Sequence, residues 1–148
     1  MLENEIKFNS KSKEYNWLSN FYECNICLED KIWLTVEHYF QSMKFLDKDY
    51  QNTIRLAPSA KEAKILGKSR KYAIHDDWDI RRISIMETAL KAKFSDPILR
   101  KKLIDTYPKF LIESSMFDYF WGSGKNGKGK NVLGNMLINL REELLAKT

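Results

Sequence analysis

Long runs of apolar residues are missing from this chain of 148 residues, and the longest is far shorter than the ~20 residues needed to span a membrane. The N-terminal segment Met1–Glu5 is acidic where a signal peptide is basic, and no apolar stretch follows it. Internal repeats and low-complexity segments are missing as well. The length suits one domain, so we expect a single cytoplasmic domain over residues 1–148 that does not contact a membrane.

Cysteine and histidine are scarce, with two of each, and this weighs against a zinc site. The four side chains would have to bind zinc in the order Cys-x2-Cys-x10-His-x36-His, which matches no common zinc finger. A redox Cys-x-x-Cys motif opens a helix, whereas the residues on both sides of Cys24 and Cys27 are typical of strands. We therefore interpret both as ordinary reduced cysteines, and we expect no metal, no cofactor and activity in EDTA.

Aromatic residues, by contrast, are plentiful, and the chain is basic. Four Trp, seven Tyr and eight Phe supply flat rings that can stack on bases. Lys and Arg number 25 against 20 Asp and Glu, a net charge of +5. This balance suits an anionic partner, but it does not distinguish nucleic acid from a nucleotide or a phosphate ester.

The order of local patterns predicts a mainly helical α+β fold with a small β element near the N-terminus. Short strand-like segments occupy residues 4–34, and Glu29-Asp30-Lys31 is a candidate hairpin turn between two of them. From Thr35 onward the chain is predicted to be mostly helical. The predicted strands cover residues 6–8, 21–28 and 32–34, an extended piece covers 109–113, and the helices cover about 35–46, 59–67, 76–94, 97–107 and 131–146.

The first predicted helix carries two parallel stripes of side chains. An apolar stripe begins at Val36 and recurs at spacings of four and three residues. Glu37, Gln41 and Lys44 repeat that spacing in a second stripe, turned by about 100° around the helix. A carboxylate, an amide and an amine along the edge of a buried face could bind a polar ligand. A solvated edge with helical charge contacts has the same spacing.

The helix predicted over residues 76–94 repeats this arrangement. Trp78, Arg82 and Lys93 form a stripe beside its apolar face, since eleven residues return nearly to the same angle. A Trp one turn from an Arg, with a Lys beyond, could stack a base and hold phosphate. A half-buried Trp covered by the stems of the two cations fits the spacing equally well.

A glycine-rich segment, Gly122–Lys130, holds four of the six glycines and precedes the last predicted helix. It lacks the Ser or Thr that follows the Gly-Lys pair of a P-loop. What remains is a flexible basic loop that either contacts phosphate or forms a surface turn. Just before it, Asp118 lies among bulky and tight residues, where a carboxylate either serves the function or caps nearby amides.

Together these motifs resemble the NADAR domain family, the YbiA-like proteins, over roughly residues 5–145. Two strings carry most of the resemblance: residues 35–41 read TVEHYFQ, and residues 118–124 read DYFWGSG. Further matching pieces are Leu18-Ser19-Asn20-Phe21-Tyr22, Lys44-Phe45, Asp77-Trp78, Arg82 with Met86, Lys93-Phe94 and Glu113-Ser114.

The resemblance implies a compact, multihelical domain and an N-glycosidase. Some family members hydrolyse the base–ribose C–N bond of early riboflavin-pathway intermediates and release ribose 5-phosphate, and others remove ADP-ribose from guanine bases. The expected substrate is therefore a small phosphorylated nucleoside-like molecule, with ADP-ribosylated nucleic acid as the alternative. A non-catalytic module that binds ADP-ribose or a nucleotide is a further alternative. The 20 acidic residues among 25 basic ones argue against a plain nucleic-acid binder.

The resemblance also implies which residues form the site. Glu37, Trp78 and Asp118 correspond to the active-site core, and Lys44 either holds phosphate or forms a Schiff base with the opened ribose. Glu37 would stabilise positive charge on the ribose and activate water, while Asp118 would orient hydroxyls or assist the leaving base. The other implied substrate contacts are Asn20, Phe21, Tyr22, Gln41, Lys68, Arg82, Lys93, Trp121 and Gly122.

Overall fold

The computed structural model describes residues 4–148, so the first three residues of the acidic segment Met1–Glu5 lie outside the described residues. The chain forms two compact units, one of residues 20–93 and the other of the residues up to Ser19 together with 94–148. Within the described residues, no helix is both long and apolar enough to cross a membrane. In chain order the elements are β1 (Glu5–Phe8), a 3-10 turn (Asn16–Leu18), β2 (Ile26–Leu28), β3 (Lys31–Trp33), α1 (Val36–Ser42), α2 (Lys48–Arg55), α3 (Ala60–Leu66), α4 (Trp78–Lys93), α5 (Pro97–Asp105), β4 (Phe110–Glu113) and α6 (Val132–Ala146).

The hairpin of β2 and β3 opens the unit of residues 20–93. The two strands pair antiparallel, with Leu28 opposite Lys31. Glu29 and Asp30 between them both adopt positive φ, 56° and 58°, which is the backbone of a tight two-residue hairpin turn. The predicted hairpin is confirmed, but the predicted strand over 21–28 is shorter and begins only at Ile26.

Helix α1 begins where the sequence predicts and ends earlier. The Thr35 hydroxyl accepts the backbone N–H of His38, so Thr35 is the N-cap. The helix was expected to continue to about Leu46, but it ends at Ser42. After the helix, the backbone pairs with a later segment instead. Lys44 O accepts a hydrogen bond from the N–H of His75, and the N–H of Leu46 donates to Ala73 O.

Helix α2 is absent from the sequence prediction, and α3 is confirmed by it. The Asp47 carboxylate caps α2 by accepting the backbone N–H of Tyr50 at 2.8 Å. Tyr50 and Ile54, one turn apart, pack into an apolar cluster with Phe45, Ala57 and Ala63. The Ser59 hydroxyl caps α3 by accepting the N–H of Glu62, as the capping box indicates.

The other unit joins the two ends of the chain. Strand β1 pairs in parallel with β4, Glu5 lying opposite Phe110, and helix α6 packs on β4. Leu133, Leu137 and Leu140 of α6 are buried, in agreement with their core spacing. The mainly helical α+β fold with few short strands is therefore confirmed.

Candidate active site

The polar edge of helix α1, defined as Glu37, Gln41 and Lys44, forms the centre of the candidate site. The side chains of Glu37 and Gln41 are only 7% and 8% exposed, and Gln41 Nε2 donates to Glu37 Oε2 at 2.7 Å. The solvated-edge interpretation is therefore wrong for these two residues. All seven residues of α1 are buried because α2, α3 and α4 pack around it.

Asn20 approaches this edge from the segment before the hairpin. Its backbone carbonyl oxygen accepts a hydrogen bond from the backbone N–H of Glu37 at 3.1 Å. Its side-chain Nδ2 lies 3.5 Å from Met86 Sδ on α4. The Asn20 Oδ1 atom is buried and has no hydrogen-bond donor among the described residues. A buried amide oxygen without a donor is costly, so this atom can accept a hydrogen bond from a bound ligand.

Lys44, the third member of the polar edge, is half-buried. Its Nζ donates to the carbonyl oxygen of Gly67 at 2.7 Å. Burial lowers the pKa of the Lys44 ammonium, nearby Arg70 lowers that pKa further, and Glu37 partly offsets both effects. A lowered pKa raises the fraction of neutral amine, which is the nucleophilic form.

Trp78 begins helix α4 and packs on α1. Its ring centroid is 5.2 Å from that of Phe40, with the planes tilted by 52°. Trp78 is buried rather than half-buried. Arg82, one turn later and half-buried, donates from Nε to the carbonyl oxygen of Asp79.

The remaining predicted contacts in this unit differ in exposure. Lys93 is 1% exposed, its Nζ lies 5.7 Å from the centroid of the Tyr22 ring, and burial lowers its pKa to about 8. Phe21 is half-buried, with Lys64 Nζ 5.9 Å from its ring centroid. Lys68 is exposed on the turn after α3. The charged end of Lys93 is therefore buried, whereas a cation whose stem covered Trp78 would keep its charged end in solvent.

Asp118, Trp121 and Gly122 belong to the other unit, in the segment between β4 and α6. The Asp118 Oδ1 atom accepts the backbone N–H groups of Phe120 at 3.0 Å and Trp121 at 2.8 Å. This is the turn-capping arrangement that the sequence left open as an alternative. Gly122 is buried, and a side chain at this position would overlap Glu113.

Two residues that contact Lys44, namely Gly67 and His75, have no signal in the sequence that predicts those contacts. The Gly67 carbonyl oxygen accepts from Lys44 Nζ, and the backbone N–H of His75 donates to the Lys44 carbonyl oxygen. Backbone contacts do not depend on side-chain type, so no residue pattern reports them. Among the described residues, no group of three His, Cys, Asp or Glu side chains could hold a metal ion.

Comparison with known proteins connects this geometry to a family. The family model of the NADAR domain matches residues 7–145. The chain is 42% identical over 140 residues to N-glycosidase YbiA of Shigella boydii, covering 94% of this chain and 88% of that protein. It is 36% identical over 143 residues to N-glycosidase Npun_R5314 of Nostoc punctiforme, covering 94% and 92%.

A plant protein and a solved structure extend the comparison. The maize riboflavin biosynthesis protein PYRR, chloroplastic, is 36% identical over 158 residues, covering 96% of this chain and 25% of the plant protein. The NMR structure of Escherichia coli YbiA superposes with a TM-score of 0.89 at 40% identity, covering 99% of this chain and 88% of that one. The chain therefore belongs to the NADAR domain family.

Proposed function

We propose that this hydrolase of N-glycosyl bonds cleaves the base–ribose C–N bond of phosphorylated riboflavin-pathway intermediates and releases ribose 5-phosphate. The observation that carries the proposal is buried Glu37, whose carboxylate Gln41 orients and whose backbone N–H donates to Asn20 O. The names of the two bacterial N-glycosidases support the reaction, and the name of the maize protein supports the substrate class. These enzyme names also argue against the non-catalytic module.

Glu37 is proposed to act on the ribose. As the base leaves, positive charge develops at the anomeric carbon, and a fixed carboxylate in a site of low dielectric stabilises that charge. The same carboxylate can remove a proton from the attacking water. The amide of Gln41 holds the carboxylate in one orientation before the substrate binds.

The other residues are proposed to bind the rest of the substrate. Asn20 Oδ1, buried without a donor in the described part of the chain, would accept a hydrogen bond from a ribose hydroxyl. Trp78 would stack the base, and the cations Arg82 and Lys68 would hold phosphate. The proposed contacts that rest on the family resemblance alone are Phe21, Tyr22, Lys93, Trp121 and Gly122.

Asp118 is proposed to orient ribose hydroxyls or assist the leaving base. This role rests on the family resemblance, since its observed contacts cap its own turn. The family model spans residues of both units, which supports treating residues 1–148 as one domain.

Lys44 is the candidate for a covalent step. A neutral amine can attack the aldehyde carbon of the opened ribose and lose water to form a Schiff base, and water later reverses that bond. Borohydride reduction during turnover should trap a sugar-phosphate adduct, which peptide mass spectrometry would place on Lys44. A Lys44→Arg variant is the control and should show no adduct. No mass shift in the unchanged enzyme would leave Lys44 as a phosphate contact.

The test of the substrate class is incubation with riboflavin-pathway intermediates and, separately, with DNA carrying ADP-ribosylated guanine. Mass spectrometry would follow free base, ribose 5-phosphate and ADP-ribose. We expect base and ribose 5-phosphate from the intermediates, in EDTA as in buffer. Turnover of the modified DNA alone would replace the proposal with the ADP-ribose hydrolase, and binding without turnover would contradict the enzymatic function.

A further inference from the structure

Gly67 at the end of helix α3 is a glycine that its own backbone does not require. Glycine after a helix commonly adopts positive φ, which other residues avoid. Gly67 instead has φ −65° and ψ −13°, an ordinary right-handed conformation open to any residue. The reason for a glycine here therefore lies in what surrounds it.

The space beside Gly67 is filled by the Gln41 side chain. A Cβ atom placed on Gly67 would overlap Gln41 Oε1 and lie 2.6 Å from Cδ and 3.1 Å from Cγ. Gly67 is itself buried, so the amide of Gln41 lies directly against its Cα. The amide end of a glutamine is flexible, so a larger residue at 67 would displace Gln41 rather than the backbone.

The orientation of that amide follows from its two neighbours. Its Nε2 donates to Glu37 Oε2 at 2.7 Å, and a carboxylate oxygen can only accept, so the nitrogen must face Glu37. Its Oε1 then faces Gly67 and is buried without a donor among the described residues. Moving the amide away from Gly67 would therefore disturb its hydrogen bond to Glu37.

Gly67 also contacts the third member of the polar edge. Its carbonyl oxygen accepts a hydrogen bond from Lys44 Nζ. Gly67 thus contacts two members of the polar edge. The Gln41 amide fills the space where a side chain at 67 would lie, and Lys44 binds the Gly67 backbone carbonyl. Any residue at 67 keeps the carbonyl, so a substitution there separates the effect on Gln41 from the effect on Lys44.

We propose that Gly67 is a positioning residue of the site, whose missing side chain fixes the amide of Gln41 and, through it, the Glu37 carboxylate. The proposal rests on the function proposed for Glu37. Its consequence is that activity depends on the volume at position 67, although that residue supplies no group to the chemistry.

The first test is Gly67→Ala, with Ile65→Ala on the exposed side of the same helix as the matched control. We expect activity to fall by about 10- to 100-fold, because a small misplacement of a catalytic group has costs of this order. The acid limb of the pH–rate profile should move to higher pH, because a carboxylate that loses a donor holds its proton more readily. The unfolding midpoint should change little, because the disturbed Gln41–Glu37 hydrogen bond, worth about 1 kcal/mol, is offset by the restriction that alanine places on the unfolded chain.

A second pair of variants shows whether the effect passes through Gln41. The double variant Gly67→Ala/Gln41→Ala should have the activity of Gln41→Ala alone, because no side chain remains to be displaced. Full activity in Gly67→Ala would overturn the proposal. An equal loss from Gly67→Ala in both backgrounds would also overturn it.

A readout without substrate separates this proposal from the proposed function. The side-chain amide resonance of Gln41, assigned by its loss in Gln41→Ala, should shift in Gly67→Ala and stay in place in Ile65→Ala. If the unchanged protein cleaves no substrate, the proposed function fails while this shift can still be measured. An unshifted resonance in Gly67→Ala would overturn the positioning role itself.

Discussion

The two carboxylates that the family resemblance assigns to the active site, Glu37 and Asp118, lie in different units and are held in different ways. Glu37 Oε2 accepts a hydrogen bond from Gln41 Nε2 on its own helix. Gln41 in turn lies against Gly67, and the backbone N–H of Glu37 donates to Asn20 O. Asp118 accepts hydrogen bonds from amides two and three residues later. Contacts with distant residues hold the backbone and the amide beside the first carboxylate, whereas a local turn holds the second.

The surroundings of the two carboxylates differ in the same way. Every residue of α1 is buried, whereas Phe117, next to Asp118, is 90% exposed. The glycine-rich loop packs on the ring of Tyr119, which a Cβ atom on Gly124 would overlap, and Gly124 also has a positive φ of 69°. A carboxylate buried by several elements is prepared for catalysis before a ligand arrives, whereas a capped turn is explained by its own stability.

The largest expected effect is that of Glu37→Gln. The substitution keeps the shape and removes the negative charge, so the rate should fall by about 100-fold or more. Circular dichroism and the unfolding midpoint would confirm an intact fold, and base release would measure the rate. A rate near that of the unchanged enzyme would contradict the assignment of Glu37.

The second prediction concerns the cost of burying a charge at Lys93, which lies in the same unit as Glu37. Its pKa is about 8 when folded, against an ordinary value of 10.5, so the folding penalty of the charged amine is fully present below pH 8 and disappears as the pH rises to 10.5. The stability gain of Lys93→Met over the unchanged protein should therefore shrink as the pH rises from 7 to 10.5, by on the order of 3 kcal/mol. Denaturant unfolding of both proteins at pH 7 and pH 10 measures the difference. A gain that does not shrink with pH would contradict this account.

Asp118 offers a smaller effect that separates capping from charge. Asp118→Ala removes the acceptor of two backbone N–H groups and should lower the free energy of unfolding by about 1 kcal/mol. Asp118→Asn keeps an oxygen acceptor and should retain most of that stability. If the charge of Asp118 assists the reaction, the Asn variant should lose activity while it keeps its stability. Full activity in Asp118→Asn would mean that Asp118 only caps its turn.

The smallest effect is expected at Phe117. Its ring is almost fully exposed, so Phe117→Ser should change the free energy of unfolding by less than about 0.5 kcal/mol. Chemical denaturation of both proteins measures this. A loss above 1 kcal/mol would show that the ring is packed in solution and would weaken the contrast with α1.

Local signals explain which parts of the fold could be predicted. Ser59 and Glu62 predict the start of α3 because a capping box acts within one turn. Helix α2 was missed although its signals are present: Asp47 at the N-cap, and Tyr50 and Ile54 one turn apart. Most residues of α2 are polar, and its two buried positions are too few to form a clear stripe.

Pairings between distant segments could not be predicted from local patterns. The register that places Glu5 opposite Phe110 depends on strands separated by most of the chain. The early end of α1 depends on backbone bonds from Lys44 and Leu46 to a later segment. Neither kind of contact leaves a residue pattern, because backbone groups are the same in every residue type.

The sequence by itself determined the helical class, the family and the shared stripe of Glu37, Gln41 and Lys44, because helix periodicity and family motifs are written in residue order. Only the tertiary structure decided that this stripe is buried and that Gln41 is held against Gly67. Burial depends on what packs against a face, and a helix carries the same spacing whether its edge meets solvent or protein.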